Sequence, residues 1–293
     1  MIRQPIDGRT RLILGISSFV VLVLAYGAMS YRAHAVNRKN TTIPNLSQFG
    51  EYWWNIGMDF REFVAGEDKD KEKASAADDA EEESRVWIRR KTQIWKDMWT
   101  TYRRLFLGML AGVVLSFVVG MAMGCFTPAE AFFLPPVAFF ARIPPTAMMV
   151  VYFVLFGTDE FLFIGIVALG IFPTLAQSIF QAVRADVDDH TLNKSYTLGA
   201  SVFEVIFEVV FRQILPRIIQ SVQLHFGPAM VYLIATEMVA PGNVGVGYTI
   251  RLQSKLLEYN LVYTYLFILG ATGLLIDGGL TWSRRKLCPW FGE

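Results

Sequence analysis

The chain has 293 residues, 53% of them hydrophobic and 14% aromatic, with charged residues held to 18%. The apolar residues fall in runs of bilayer length, about 20 residues each, which excludes an ordinary soluble domain and predicts an all-α polytopic membrane protein embedded in lipid. Lys plus Arg number 27 against 26 Asp plus Glu, so no excess of either sign argues for a nucleic-acid partner.

In chain order, Arg3, Arg9 and Arg11 precede a first apolar run, Leu12 to Ser30. The run lacks a small-x-small cleavage site and is followed by Arg32 and His34, so it reads as a retained span rather than a signal peptide. A polar insert follows, residues 31–104, opening with the aromatic-flanked piece IPNLSQFGEYWWNIGMDF. Its Trp and Tyr rings suit a membrane–water interface. From Glu67 to Glu83 there are nine acids, three lysines and no aromatic, which predicts a mobile, solvated segment or a docking segment for a partner. From Arg85 to Arg104 there are seven bases and one acid, with Trp87, Trp95 and Trp99 at helical spacings. That pattern predicts an amphipathic helix lying on the membrane face.

The second span, Leu105 to Phe126, carries Gly108, Gly112, Ser116, Gly120 and Gly124. Small residues at every fourth position lay a groove along one helix face, where another helix can approach closely. The third span, Ala131 to Phe156, is interrupted by Pro135, Pro136, Arg142, Pro144 and Pro145. Proline removes backbone donors, and an arginine within a span needs water, protein or an anion beside it, unless it snorkels to the edge. Asp159 and Glu160 form a turn before the fourth span, Phe161 to Ala182, which holds Gln177. The fifth span, Ile218 to Ala240, ends near Glu237, a functional candidate by its depth. The sixth, Leu261 to Trp282, holds Asp277.

Between spans four and five lies the one polar, helix-patterned stretch, 188–216. Asp188 or Asp189 can cap a first short helix, and Gly199 stands where a left-handed C-terminal cap would end it. Ser201 and Glu204 have the spacing of a capping box that opens a second helix. The expectation is a bent, capped corner.

Six spans put both termini on one side. With the termini inside, the short inner segments hold ten bases and the short outer loops only Arg251 and Lys255, in the direction of the positive-inside rule. The two cysteines, Cys125 and Cys288, then lie near the cytoplasmic face as thiols. No P-loop, HExxH, GxSxG or paired Cys/His metal spacing is present, so catalysis and a bound metal are not indicated.

YTLGASVFEVIFEVV followed by ILP resembles the cytoplasmic loop of binding-protein-dependent ABC importer permeases, in which an EAA-x3-G pattern precedes an LP run. RIPPTAMMVVYFVLFGTDE, FPTLAQSIFQAVRAD, MVYLIATEM and GVGYTI are similar, in the same order, to pieces of the nitrate, sulfonate, taurine and bicarbonate branch. The chain departs from the pattern at Asn193, Lys194 and Ser195, where the family commonly has Glu-Ala-Ala, and at Arg212, where it has proline. Pro228 stands where a basic residue is frequent.

The resemblance implies a type I importer permease fold of six transmembrane helices with a cytoplasmic coupling helix. The chain then divides into a tail and first span (1–30), an extracytoplasmic insert (31–104), a core (105–283, with a coupling loop at 184–217) and a cytoplasmic tail (284–293). It implies a homodimer in a bacterial inner membrane, an ABC ATPase subunit pair holding ATP and Mg inside, and a solute-binding protein outside. No cofactor is expected on this chain. The coupling surface is expected at Asp189, Leu192, Asn193, Thr197, Leu198, Gly199, Ala200, Ser201 and Glu204, with Val202 and Phe203 adding apolar contacts. The route for a small solute, an anionic one if it is to explain Arg142, is expected to be lined or shaped by Arg142, Met148, Met149, Gln177 and Glu237. The rival readings are a stand-alone transporter or channel using Arg142, Glu237 and Asp277 as a charge relay, and a membrane scaffold acting through the charged insert.

Overall fold

A computed structural model describes residues 8–36, 82–240 and 244–290. The aromatic-flanked piece, the acidic run as far as residue 81, Arg3 and the last three residues lie outside that description. All regular structure among the described residues is helical. The described helices are α1 (Gly8–Val36), α2 (Glu82–Cys125), α3 (Thr127–Phe140), α4 (Met149–Phe156), α5 (Glu160–Asp186) and α6 (Asp189–Thr197). After them come a single turn (Val202–Glu204), a π-helical stretch (Val205–Val210), α7 (Phe211–Val239), α8 (Val246–Lys255) and α9 (Tyr259–Leu287).

The chain divides into two compact units. One comprises residues up to Gln93 together with Leu252–Phe267, where Tyr26 meets Tyr263 edge to face at 6.2 Å. The other, Ile94–Arg251 with Ile268–Glu293, holds the core and every site described below. Among the described residues three helical segments are long and apolar enough to cross a bilayer: Ile94–Cys125, Glu160–Asp186 and Tyr259–Leu287. α1 and α7 are equally long at 29 residues each.

The core is built around α5. Leu162, Ile166, Ile171, Leu175 and Ile179 are fully buried along it, together with Leu105 of α2 and Ile214 and Leu233 of α7. Lipid tails are as apolar as leucine, so packing contact, rather than escape from water, holds such helices together. The glycines of α2 supply that contact. A Cβ on Gly108 would fall 2.6 Å from Val167, on Gly112 2.7 Å from Ile171, on Gly120 2.8 Å from Ile179 and on Gly124 2.6 Å from Val183. The partners advance four residues whenever the glycines do, so α2 and α5 run parallel in one register. Ser116, at the middle of the stripe, donates to the carbonyl of Phe172 at 3.1 Å.

α7 packs antiparallel on α5: Arg217 pairs with Asp186 at 2.7 Å near one end, and His225 Nε2 lies 3.0 Å from Thr174 Oγ1 midway. α7 stops at Ala240, whose extended backbone (ψ 143°) is what a residue before proline requires.

The amphipathic segment 85–104 does not end before the second span; it continues into it as the single helix α2. From Ile94 onward one face of that helix, including Ile94, Asp97, Met98 and Thr101, is packed inside the protein.

Candidate functional site

The corner between α5 and α7 is built as its residues dictate. Asp188 caps α6, its carboxylate accepting from the His190 amide at 3.4 Å. Asp189 is the first residue of the helix. At the other end Gly199 has φ +87°, its amide donates to Tyr196 O at 3.0 Å, and the Ala200 amide donates to Ser195 O at 3.2 Å. Those two bonds are a Schellman cap, and they need a residue at ease in the left-handed region.

Two residues on, the Ser201 hydroxyl accepts from the Glu204 amide at 3.3 Å, while the Glu204 carboxylate accepts from the Ser201 amide at 2.7 Å. The bond from that amide holds the Glu204 carboxyl below the ordinary glutamate value. Immediately beyond, the backbone passes through the π-helical stretch, where the Phe211 amide reaches back five residues to Ile206 O.

The corner has two faces. Leu192, Ala200 and Ile206 pack against the core. Leu198 is 87% exposed and Phe203 75%, with Val202, Phe207 and Tyr196 also open. Asn193, Lys194 and Thr197 are exposed beside them. Leu192, expected on the coupling surface, is half-buried and packs against the core.

The opposite end of the bundle carries a buried polar node. Asp97, Thr101 and Arg104 follow one another at helical spacing on α2 and are 0%, 0% and 6% exposed. Asp97 accepts from the Gly245 amide at 3.1 Å and from the Thr249 hydroxyl at 2.6 Å. The Thr101 hydroxyl lies 2.9 and 3.0 Å from the two carboxylate oxygens of Glu237 and accepts from the Val246 amide at 3.0 Å. The Gly247 amide donates to Glu237 at 3.0 Å.

Arg104 binds Glu237 at 2.9 Å and the Val244 carbonyl at 3.1 Å. With its remaining nitrogens it takes Glu160 at 3.0 and 2.5 Å. Its guanidinium lies 3.9 Å from the centre of the Phe163 ring. The loop can approach this closely because it carries glycine: Gly245 has φ +141°, and a Cβ on Gly247 would fall 2.4 Å from the Ile234 carbonyl.

The five residues expected along a solute route are not gathered at one point. Glu237, 2% exposed, belongs to the node and faces Arg104. Arg142 is exposed in the irregular segment between α3 and α4, where Pro144 and Pro145 prevent a continuous helix. Met148 is half-buried at the cap of α4, with the Tyr152 hydroxyl 3.9 Å from its sulfur, and Met149 is buried. Gln177 is half-buried on α5, one turn beyond the Thr174 that meets His225. Asp277, the third member of the alternative charge relay, hydrogen-bonds Gln223. Among the described residues no group of three His, Cys, Asp or Glu is placed to hold a metal.

Sequence reasoning missed Asp97, Thr101 and Arg104. The available signal was Asp97 itself, the one acid among the seven bases from Arg85 to Arg104, together with hydroxyl and guanidinium groups at i+4 and i+7.

Residues 105–287 match the family model described as binding-protein-dependent transport system inner membrane component. A probable ABC transporter permease protein of Brucella melitensis is 31% identical over 200 residues, covering 68% of this chain and 80% of the relative. The taurine transport system permease protein of Escherichia coli is 26% identical over 200 residues, covering 68% and 72%. Among solved structures, an inward-facing conformation of the MetNI methionine ABC transporter superposes with a TM-score of 0.58 at 19% identity, covering 67% of this chain and 96% of the matched one. That likeness is one of fold.

Proposed function

As the chain belongs to the family of binding-protein-dependent transport system inner membrane components, we propose that it is driven through the corner between α5 and α7 by a separate ATPase. The chain is a multi-pass membrane protein and the permease of an ABC importer, a transport component rather than the hydrolysing subunit. The observation that carries the proposal is the pairing, on one corner, of a rigidly capped backbone with outward-turned Leu198 and Phe203. An exposed apolar tip on a stiff mount is what a partner that pushes must grip.

In this reading six spans place both termini and the corner in the cytoplasm, where an ATPase pair with ATP and Mg docks. A solute-binding protein delivers from the other side, and a second copy of the chain completes the path as a homodimer. Gln177, Met148 and Arg142 line that path, with Met149 behind them. Glu237 shapes it from outside rather than lining it. Its pairing with Arg104 removes the objection a free buried carboxylate would raise to an anionic solute. A small solute carrying an anionic group, such as the sulfonate of the taurine named for one relative, is the solute class that Arg142 favours.

The test is purification of the tagged chain from its native membranes. An ATP-hydrolysing subunit is expected to copurify with the wild type and to be lost on Gly199→Trp. Full transport by the purified chain alone, without ATP, would overturn the proposal in favour of a stand-alone transporter.

A further inference from the structure

The two ends of the α5–α7 pair are joined by different chemistry. At the corner end, Asp186 holds Arg217 through a pair whose side chains are 19% and 49% exposed, and Gln213 bonds the Asp186 carbonyl. The Arg217 half of this pair is open to water, which screens it, and among the described residues the pair has no second carboxylate or loop carbonyl to share. α7 departs from this end through the π-helical stretch and contains Pro216 and Pro228, each removing an amide donor from the helix ladder. The polar linkage at this end is the weaker of the two.

At the far end Arg104 reaches three elements at once: the start of α5 at Glu160, the end of α7 at Glu237 and the following loop at Val244. The Glu237 half of this linkage is closed from water, with side-chain exposures of 7% and 1%. Thr101 and Asp97 extend the same attachment to Val246, Gly245 and Thr249. A buried pair stripped of one partner leaves an uncompensated charge, so the linkage breaks only at a large cost.

The geometry points to Arg104 as a positioning residue for transport: the fixed pivot that keeps α2, α5 and α7 together at the end away from the corner. Displacement of the corner then opens the opposite half of the pair instead of shifting the bundle as a whole. This rests on the permease reading and adds a residue to it. Arg104 touches no solute; it converts a push on the corner into a hinge. Lysine retains the charge but has one nitrogen on a flexible stem, and so cannot hold Glu160 bidentately, Glu237 and Val244 together.

The experiment compares wild type with Arg104→Lys and Arg104→Gln in the complete complex reconstituted in proteoliposomes, measuring labelled taurine uptake and ATP hydrolysis in the same vesicles. The pivot predicts that solute moved per ATP falls at least 10-fold while hydrolysis stays within 2-fold. If uptake and hydrolysis fall in proportion, or neither changes, Arg104 is only a stabilising contact and the inference is overturned.

A second measurement stands apart from the solute. Spin labels at Phe161→Cys and Val239→Cys, with Cys125 and Cys288 replaced by serine, report the distance between the start of α5 and the end of α7. The wild type is expected to give one narrow distribution and Arg104→Lys a broad one; equal widths overturn the pivot. A wild-type complex that moves no taurine with ATP would count against the proposed solute class, and the label widths would still decide the pivot.

Discussion

Arg104 and Glu237, far apart in the chain and on different helices, form a buried ion pair at 2.9 Å in which neither side chain exceeds 7% exposure. The pair is satisfied on every side. Thr101 and the Gly247 amide complete the carboxylate, and Glu160, Val244 and the Phe163 ring complete the guanidinium. Burying both charges is tolerable because each has several partners.

Removing one member should therefore cost more than the pair is worth. Glu237→Ala is expected to destabilise the protein by about 3–5 kcal/mol, the usual penalty for leaving a buried charge alone. Arg104→Met combined with Glu237→Met should lose less than the two single changes summed, because no orphan charge remains on that side. Thermal unfolding in detergent, run as a double-mutant cycle, measures the difference; additive losses would show that the pair is not coupled.

The stripe on α2 gives a second prediction. Gly112→Leu must force apart helices whose atoms already stand 2.7 Å from where its Cβ would be. Overpacking of this kind costs about 1–3 kcal/mol or more. Gly227→Leu is the matched control, since no atom lies within 4 Å of a Cβ there. Folded yield and melting temperature should fall for the first substitution and stay near wild type for the second.

Legibility followed the range of the interaction. The corner was readable from local rules alone: Asp188, Gly199, Ser201 and Glu204 act through bonds to or between backbone groups two to five residues apart, and sequence spacing encodes those distances. The small-residue stripe was readable as a face, though its partner α5 was not. The node was opaque because its bonds join residues more than 130 apart, Thr101 to Glu237 and Asp97 to Thr249. The basic run around Arg104 also imitates an interfacial helix. Glu237 was singled out for its depth, but depth does not say whether a carboxylate faces a path or an arginine. Leu192 and Leu198 have the same side chain on the same corner, and only the folded geometry turns one inward and the other out.

A third prediction concerns acid. The Glu204 carboxyl titrates below its ordinary value because the folded corner holds its charged form on the Ser201 amide. The cap therefore contributes fully above the ordinary glutamate range and loses its contribution as pH falls through the depressed folded value. The protection of the Ser201 amide, its exchange taken relative to the intrinsic rate at each pH, should fall over that acid window. Glu204→Gln should exchange faster at neutral pH with no such acid step; an identical pH profile for both proteins would contradict the assignment.

Gly199 supplies a fourth. Its surroundings are open, so a side chain meets no obstacle, yet φ +87° is unfavourable for any other residue. Gly199→Ala should cost about 1–2 kcal/mol of local stability from backbone strain alone. Gly199→Asn, which visits that region more readily, should recover part of it. Protease sensitivity at the corner distinguishes the two, with alanine cut faster; equal rates would mean that the cap does not depend on the left-handed turn.

The most direct test of the account is cross-linking from the corner in native membranes. Phe203→Cys and Leu198→Cys, treated with a short thiol–amine cross-linker, are expected to join the ATPase subunit, with a yield that changes when ATP is added. Val154→Cys on α4, 82% exposed but remote from the corner in sequence, is expected to give no such product. Absence of any ATPase product from both corner positions, or equal yield from Val154, would contradict the claim that this corner is where the transporter is driven.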